Sequence, residues 1–213
     1  MLATRIIALR HGETAWNVDA RIQGRLDIEL NETGRWQARR AAQALAGEEI
    51  DGVYSSHLLR AAETARTIAR AIGQSAQSVE ALCERGFGVF EGKTFPQIEA
   101  IWPEQALRWR KRDPQWKPEG GESLQDLQRR IVNATAELAE RHLGKQIVLV
   151  AHGGVLDVLY RTATGQDLQA PRSWNLGNAT INRLLWTPDG LTLVGWADTR
   201  HLEDDRTLDE TSA

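Results

Sequence analysis

Two short apolar runs in this chain end in nearly the same residues. Leu9 leads into Arg10-His11-Gly12, and Ala151 leads into His152-Gly153-Gly154. An imidazole can attack, carry a proton or donate a hydrogen bond near neutral pH. A guanidinium is a fixed planar cation that grips the oxygens of phosphate or carboxylate. The glycines let backbone come close to a ligand. Either histidine alone reads most simply as a strand-end residue bonded to backbone. Two of them, each following an apolar run and preceding glycine, read as halves of one site although they lie 141 residues apart. Arg60 adds a cation in the first turn of an expected helix, where the helix N-terminus already favours anions. Glu84 stands before a glycine-rich stretch, Gly86 to Gly92, and reads as a general acid or as a surface charge.

The elements that must position these groups follow from hydrophobic pattern. Residues 5–9 hold a short apolar run that reads as a buried strand ending in a loop, and 146–151, five apolar residues after a polar start, suit a strand covered on both faces in a parallel sheet. Asn31 caps an expected helix with Gly34, Ala38, Ala41 and Leu45 on one face, stopped by Gly47. Residues 53–56 read as a strand and a helix cap, and the next helix runs to about Ile72 before Gly73. Residues 84–121 read as irregular. Ser123 caps a helix bearing Leu124, Leu127, Ile131, Ala134 and Leu138, and a further helix is expected from Val155 to about Thr164. Late strands near 179–187 and 191–197 flank Pro188-Asp189-Gly190 as a hairpin. The expected fold is α/β: a three-layer sandwich with a mostly parallel central sheet and an antiparallel edge. Sites in such sheets form beyond the carboxyl ends of the strands, where His11 and His152 would meet.

Together these residues carry a resemblance. Arg10-His11-Gly12-Glu13-Thr14 with Asn17, Gln23-Gly24, Ser55-Ser56 with Arg60-Ala61, Thr64-Ala65, Glu84 before Gly88, Gly121-Glu122-Ser123, and Val150-Ala151-His152-Gly153-Gly154 resemble the histidine phosphatase superfamily, with its phosphoglycerate mutase-like fold. The resemblance implies His11 as a nucleophile that becomes phosphohistidine. Arg10, Arg60 and His152 would surround the phosphoryl oxygens. Asn17, Gln23, Gly24 and Gly153 would complete the phosphate site, and Glu84 would protonate the leaving alcohol. No metal is implied, since arginines fill the part a metal would play. His57 departs from the acidic residue the family often carries, and is the next acid to consider if Glu84 is not the one.

The implied activity is a phosphomonoester phosphatase working on a small phosphorylated metabolite. The alternative is a phosphoglycerate mutase, which would use 2,3-bisphosphoglycerate as cofactor if it is the cofactor-mediated kind. No cofactor is expected otherwise. Glu84-Arg85-x-Phe87-Gly88 is close to the mutase form of this loop, in which the arginine helps hold substrate. Glu91-Gly92 is phosphatase-like, and the stretch from Glu84 to His152 is short beside cofactor-dependent mutases. A catalytically silent phosphoprotein-binding module is a third reading, but every catalytic position is filled. Sugar phosphates, phosphoglycerate derivatives, nucleotides and cofactor precursors all fit as substrates. Residues 93–118 are expected to form a cap that sets specificity. Trp102, Trp109 and Trp116 recur every seven residues there, with Arg108, Arg110, Lys111 and Arg112 between them. One reading makes them aromatic walls and cations for a second acidic group on the substrate; most are expected instead to pack or solvate the cap, with Pro103 and Pro114 breaking any long helix. Cys83 reads as a packed small residue, and His142 and His201 as surface residues.

Composition sets the outer bounds. The 213 residues are 41% apolar and 26% charged, as in ordinary globular proteins. One domain over 1–202 is expected, followed by an acidic tail. Residues 203–213 hold five acids and one base, so the formal charge of −3 leaves the rest of the chain at +1. Nothing in that balance suggests nucleic acid or a membrane as partner. No run is long enough for a membrane span, and Met1 to Arg5 reads as carrying no signal peptide. With one cysteine, the chain is expected to be cytoplasmic and to act as a monomer or homodimer.

Overall fold

The computed structural model describes residues 2–203. Apart from Glu203, the expected acidic tail lies outside them. In chain order the elements are β1 (Thr4–Arg10), α1 (Ala15–Val18), α2 (Glu32–Leu45), β2 (Gly52–Ser55), α3 (Leu59–Ala71), β3 (Ala76–Ser78), α4 (Phe95–Ile101), α5 (Pro103–Arg110), α6 (Leu124–Glu140), β4 (Gln146–Ala151), α7 (Gly153–Thr164), β5 (Ile181–Thr187) and β6 (Gly190–Asp198). The sheet order is β3-β2-β4-β1-β5-β6. The first four strands in that order run parallel, and β5 pairs antiparallel with both β1 and β6. The expected sandwich with an antiparallel edge is the fold observed.

Strand side chains alternate between faces, and the layers follow from this alternation. Ile6 and Ala8 join Ile147 and Leu149 in a core with Leu127 and Ile131 of α6 and Val155 and Leu159 of α7. Ile7 and Leu9 point the other way, to Ala41 and Leu45 of α2 and Ala61, Ala65 and Ile68 of α3. A third apolar cluster lies under the cap. Phe90 is fully buried among Trp102, Trp109 and Trp116, with ring centroids 5.5, 5.7 and 5.9 Å away. The sevenfold tryptophan spacing therefore serves packing. Arg110 lies over the Phe95 ring and pairs with Glu99 at 2.8 Å, and so stays on the cap surface.

Several expectations are corrected. Residues 84–121 contain two helices, α4 and α5. Pro103 starts α5 at its first position, where a missing N–H costs nothing. Strand β3 was not foreseen, because its three residues are polar or small and half-exposed. Ser56 does not cap α3. The cap position is Leu58, and Asp27 Oδ1 accepts from Leu59 N at 2.7 Å instead. Helix α7 starts two residues early, at Gly153, with His152 as its cap residue. His142 is half-buried and hydrogen-bonded through Nε2 to the Tyr54 hydroxyl at 2.7 Å, and His201 Nε2 donates to Ala179 O. Cys83 is buried, as expected of a packed residue. No helix among the described residues is long and apolar enough to cross a membrane.

The start of α2 presses on the segment that carries His11. Asn31 accepts from Gly34 N, as its cap role required. A Cβ on Gly34 would lie 2.0 Å from the carbonyl oxygen of Glu13. The obstacle is backbone, so α2 would have to retreat. Helix propensity alone favours alanine over glycine by about 1 kcal/mol, so the clash decides the sign. Gly34→Ala is expected to lower unfolding stability by about 1–3 kcal/mol, the usual cost of overpacking, as read by urea denaturation. A stabilised variant would show that this contact yields without strain.

Candidate active site

The register of β1 against β4 pairs Leu9 with Val150 and Arg10 with Ala151. His11 N then donates to Ala151 O at 3.0 Å, one step past the strands. This places the rings of His11 and His152 with centroids 5.2 Å apart. His11 is 2% exposed and His152 0%. His11 Nδ1 lies 2.7 Å from Gly12 O. A carbonyl only accepts, so Nδ1 carries the proton and Nε2 keeps a free lone pair. Burial, followed by the charges of Arg10 and Arg60, holds the His11 imidazole well below its ordinary pKa. Burial, followed by Arg60, does the same for His152. Both rings are therefore neutral at pH 7.

The loop carrying His11 is tied down on several sides. Gly12 N donates to Thr64 Oγ1 at 3.1 Å, and Asn178 Nδ2 donates to His11 O at 2.9 Å. Asn17 closes a capping box with Thr14, its Oδ1 accepting from Thr14 N at 3.0 Å. That leaves the Asn17 amide N–H groups to the cavity wall. The guanidiniums are anchored through backbone carbonyls. Arg10 Nη1 donates to Leu176 O at 2.6 Å. Arg60, 1% exposed, donates from Nη1 to Leu26 O and from Nη2 to Gly24 O. Gly24 takes a left-handed φ of 51°, and a Cβ there would strike the Glu91 side chain. Glu91 Oε1 in turn accepts from Arg25 N and Phe87 N, joining two loops at the mouth of the site.

Glu84 sits at the N-terminus of α7. Its Oε1 accepts from Arg85 N at 2.7 Å and its Oε2 from Gly154 N at 3.1 Å. Arg85 is buried, and donates from Nε to Glu122 O at 2.8 Å. Burial brings its guanidinium down to about 10.

These groups surround one cavity of about 570 Å³. Of the candidate site residues, Arg10, His11, Asn17, Gln23, Gly24, Arg60, Glu84, Arg85 and Gly153 line it together. His152 is packed beside His11 and does not form the wall. Arg10 Nε, Arg60 Nε, Gln23 Oε1 and both ring nitrogens of His152 are buried with no hydrogen-bond partner among the described residues. Buried polar atoms are seldom left so, and the three N–H-bearing groups among them suit an anion rich in oxygen. Among the described residues no group of three or more His, Cys, Asp or Glu is placed to hold a metal ion.

The sequence reading missed part of the wall. Arg21, Phe87, Asp157, Arg172 and Asn175 also line the cavity, and from the cap Trp109 and Arg112 join them, the two residues there for which the wall reading holds. Asp157 lies one helical turn past His152-Gly-Gly, which is the only signal it offered. Arg172 and Asn175 come from a loop without a motif. His57 is exposed and lines a different cleft, with Arg25, Glu80, Cys83 and Arg130.

Comparison with known proteins agrees with this geometry. The model of the histidine phosphatase superfamily (branch 1) matches residues 6–199. Phosphoglycerate mutase-like protein 4 of Arabidopsis thaliana is 39% identical over 204 residues, covering 93% of this chain and 87% of the relative. The metal-independent phosphoserine phosphatase of the same plant is 35% identical, covering 93% and 83%. The structure of mycobacterial glucosyl-3-phosphoglycerate phosphatase superposes with a TM-score of 0.82 at 34% identity, covering 92% of this chain and 99% of that one. With two histidines at adjacent strand ends, two anchored arginines and a match along almost its whole length, the chain belongs to the histidine phosphatase superfamily.

Proposed function

We propose that this protein hydrolyses phosphomonoesters of a small metabolite through a phosphohistidine on His11. One observation carries the reading: a neutral imidazole with a free Nε2 faces a cavity in which buried arginine N–H groups lack partners. His11 Nε2 attacks phosphorus as the ester P–O bond breaks, and Glu84 delivers a proton to the departing oxygen. Water then attacks the phosphohistidine, Glu84 takes the water's proton, and the P–N bond breaks to release phosphate. Charge spreads over the phosphoryl oxygens during both steps, so fixed donors are the main catalytic resource. Arg10 and Arg60 supply them from the wall and His152 from its place beside His11, with Asn17, Gln23, Gly24 and Gly153 completing the cradle.

Two of the three relatives described above are phosphatases, which favours water as the final acceptor. Mutase activity is the second reading. It is favoured by the buried Arg85 in the cavity wall and by the mutase-like relative. Product analysis with 3-phosphoglycerate separates the two, since a mutase yields its isomer and a phosphatase yields glycerate and phosphate. A metal has no part in these steps, and the enzyme is expected to need none.

Rapid quenching should trap phosphate on His11, with the acid lability and base stability of a phosphoramidate. His11→Ala should remove both the adduct and turnover, and an adduct that persists in this variant would exclude His11 as nucleophile.

Chelators should leave the rate unchanged. Vanadate should inhibit, because it adopts the five-coordinate geometry of the transferring phosphoryl group. A rate lost to chelation and restored by magnesium would contradict this site.

Glu84→Gln keeps the shape of the side chain and removes its proton. It should slow a substrate with an aliphatic leaving alcohol by about 10²–10⁴, the range for one acid–base group. The initial burst with nitrophenyl phosphate should fall far less, because nitrophenolate leaves without a proton. Equal burst losses for both substrates would make Glu84 a binding residue, and the acid would then be sought elsewhere on the cavity wall.

A further inference from the structure

The cavity is larger and more cationic than a phosphoryl group requires. Six arginines line it, Arg10, Arg21, Arg60, Arg85, Arg112 and Arg172, against two carboxylates, Glu84 and Asp157. Arg21 is matched by Asp19 on the surface, at 3.4 Å. A phosphoryl dianion compensates Arg10 and Arg60. Among the lining charges Arg85, Arg112 and Arg172 then face Glu84 and Asp157, one carboxylate short; Glu122 lies near Arg85 behind the wall, but both its oxygens are already held by Arg130.

The surplus is localised. Arg112 donates from Nη2 to Asp157 Oδ2 at 2.6 Å and from Nε to Leu168 O at 2.7 Å, which leaves its Nη1 edge unspent. The same Oδ2 accepts from Arg161 Nε at 3.0 Å, so one carboxylate serves two arginines. Asp157 Oδ1 is buried with no partner. Arg85, only 3% exposed, spends Nε on Glu122 O and one Nη2 N–H on Trp116 O at 3.4 Å, and Arg112 is close enough to disfavour its charge. Phe87 and Trp109 close the wall between loop and cap, with ring centroids 5.4 Å apart. Two half-spent guanidiniums held by backbone carbonyls are a ready grip for a planar anion.

We infer that Arg85 and Arg112 form a carboxylate subsite, so that the preferred substrate is a phosphomonoester whose alcohol carries a carboxylate group. Asp157 Oδ1 is placed to accept from a hydroxyl or ammonium on a neighbouring carbon. Asp157 and Arg161 are positioning residues, since they hold Arg112 by its far side. This inference rests on the phosphatase reading above and names its substrate class.

The test uses matched pairs that differ only in that group: O-phosphoserine against O-phosphoethanolamine, and 3-phosphoglycerate against glycerol 3-phosphate. In the unaltered protein kcat/KM should favour the carboxylate member of each pair. In Arg112→Gln that preference should shrink by about 10–100-fold, the span for losing one or two charge-assisted hydrogen bonds. A preference that persists unchanged in Arg112→Gln would remove Arg112 from the subsite. Near-equal turnover of both members by the unaltered protein would overturn the subsite and leave the phosphatase reading standing. Absence of phosphate release from all four esters and from nitrophenyl phosphate would overturn the reading beneath it. Should Arg112→Gln fail to fold, competition in the unaltered protein decides: glycerate, but not glycerol, should inhibit nitrophenyl phosphate hydrolysis, and equal effects of the two would refute the subsite.

Discussion

The hydrogen bond from His11 N to Ala151 O extends the parallel ladder of β1 and β4 by one residue beyond both strands. His11 and His152 take their relative position from that extension. A shift of one residue in either strand would turn its side chains to the opposite face, and one histidine would enter a helix-packed core. The alternation of Ile6, Ile7, Ala8 and Leu9 between two apolar layers forbids that shift. Burial on both faces of the sheet is thus what fixes two catalytic-type side chains in register.

Placing these groups there is unfavourable for stability. Arg60 is almost fully buried, and among the described residues it hydrogen-bonds to the carbonyls of Gly24 and Leu26 and to no carboxylate. Arg10 is fastened in the same way to Leu176. A buried cation that lacks a counter-ion loses hydration without full Coulomb repayment. The carbonyls hold the guanidiniums in orientation without neutralising them. Neutral imidazoles avoid the same penalty, and burial beside two cations keeps them neutral. The arrangement makes physical sense if an anion supplies the missing charge during turnover.

Legibility in the sequence divides along these lines. The strands bearing His11 and His152 were readable because their burial on both faces demands continuous apolar residues. Helices α2, α3 and α6 were readable from their spacing, with Asn31 and Ser123 as working caps. Strand β3 was not, since it borders the sheet and carries no apolar pattern. The early start of α7 was hidden because glycine is a poor helix former, yet here a side chain at Gly154 would collide with Glu84. On the site, residues within motifs were legible and residues gathered by tertiary folding were not. Asp157 and Arg172 belong to no pattern, and Arg112, one of several cap cations open to either a substrate-facing or a solvated reading, could not be told from its neighbours.

Helix α7 connects these two sets of residues. Its first turn meets the chemistry: Gly154 N donates to Glu84, and His152 is its cap residue. One turn further on, Asp157 reaches Arg112 of the cap, and Arg161 binds Asp157 and the carbonyls of Asp167 and Ala170. Arg161 also lies under the Trp174 ring, at 4.6 Å. The cap and the loop that carries Arg172 are therefore both hung on one helix whose N-terminus abuts His11 and Glu84. A fixed phosphoryl site and a variable far wall can be held at constant separation this way, since cap residues can change without moving the sheet edge. The left-handed φ of 52° at Arg112 fits the same account. A non-glycine residue keeps such a backbone only where its surroundings over-determine it, and here the Asp157 ion pair and the Leu168 carbonyl do so.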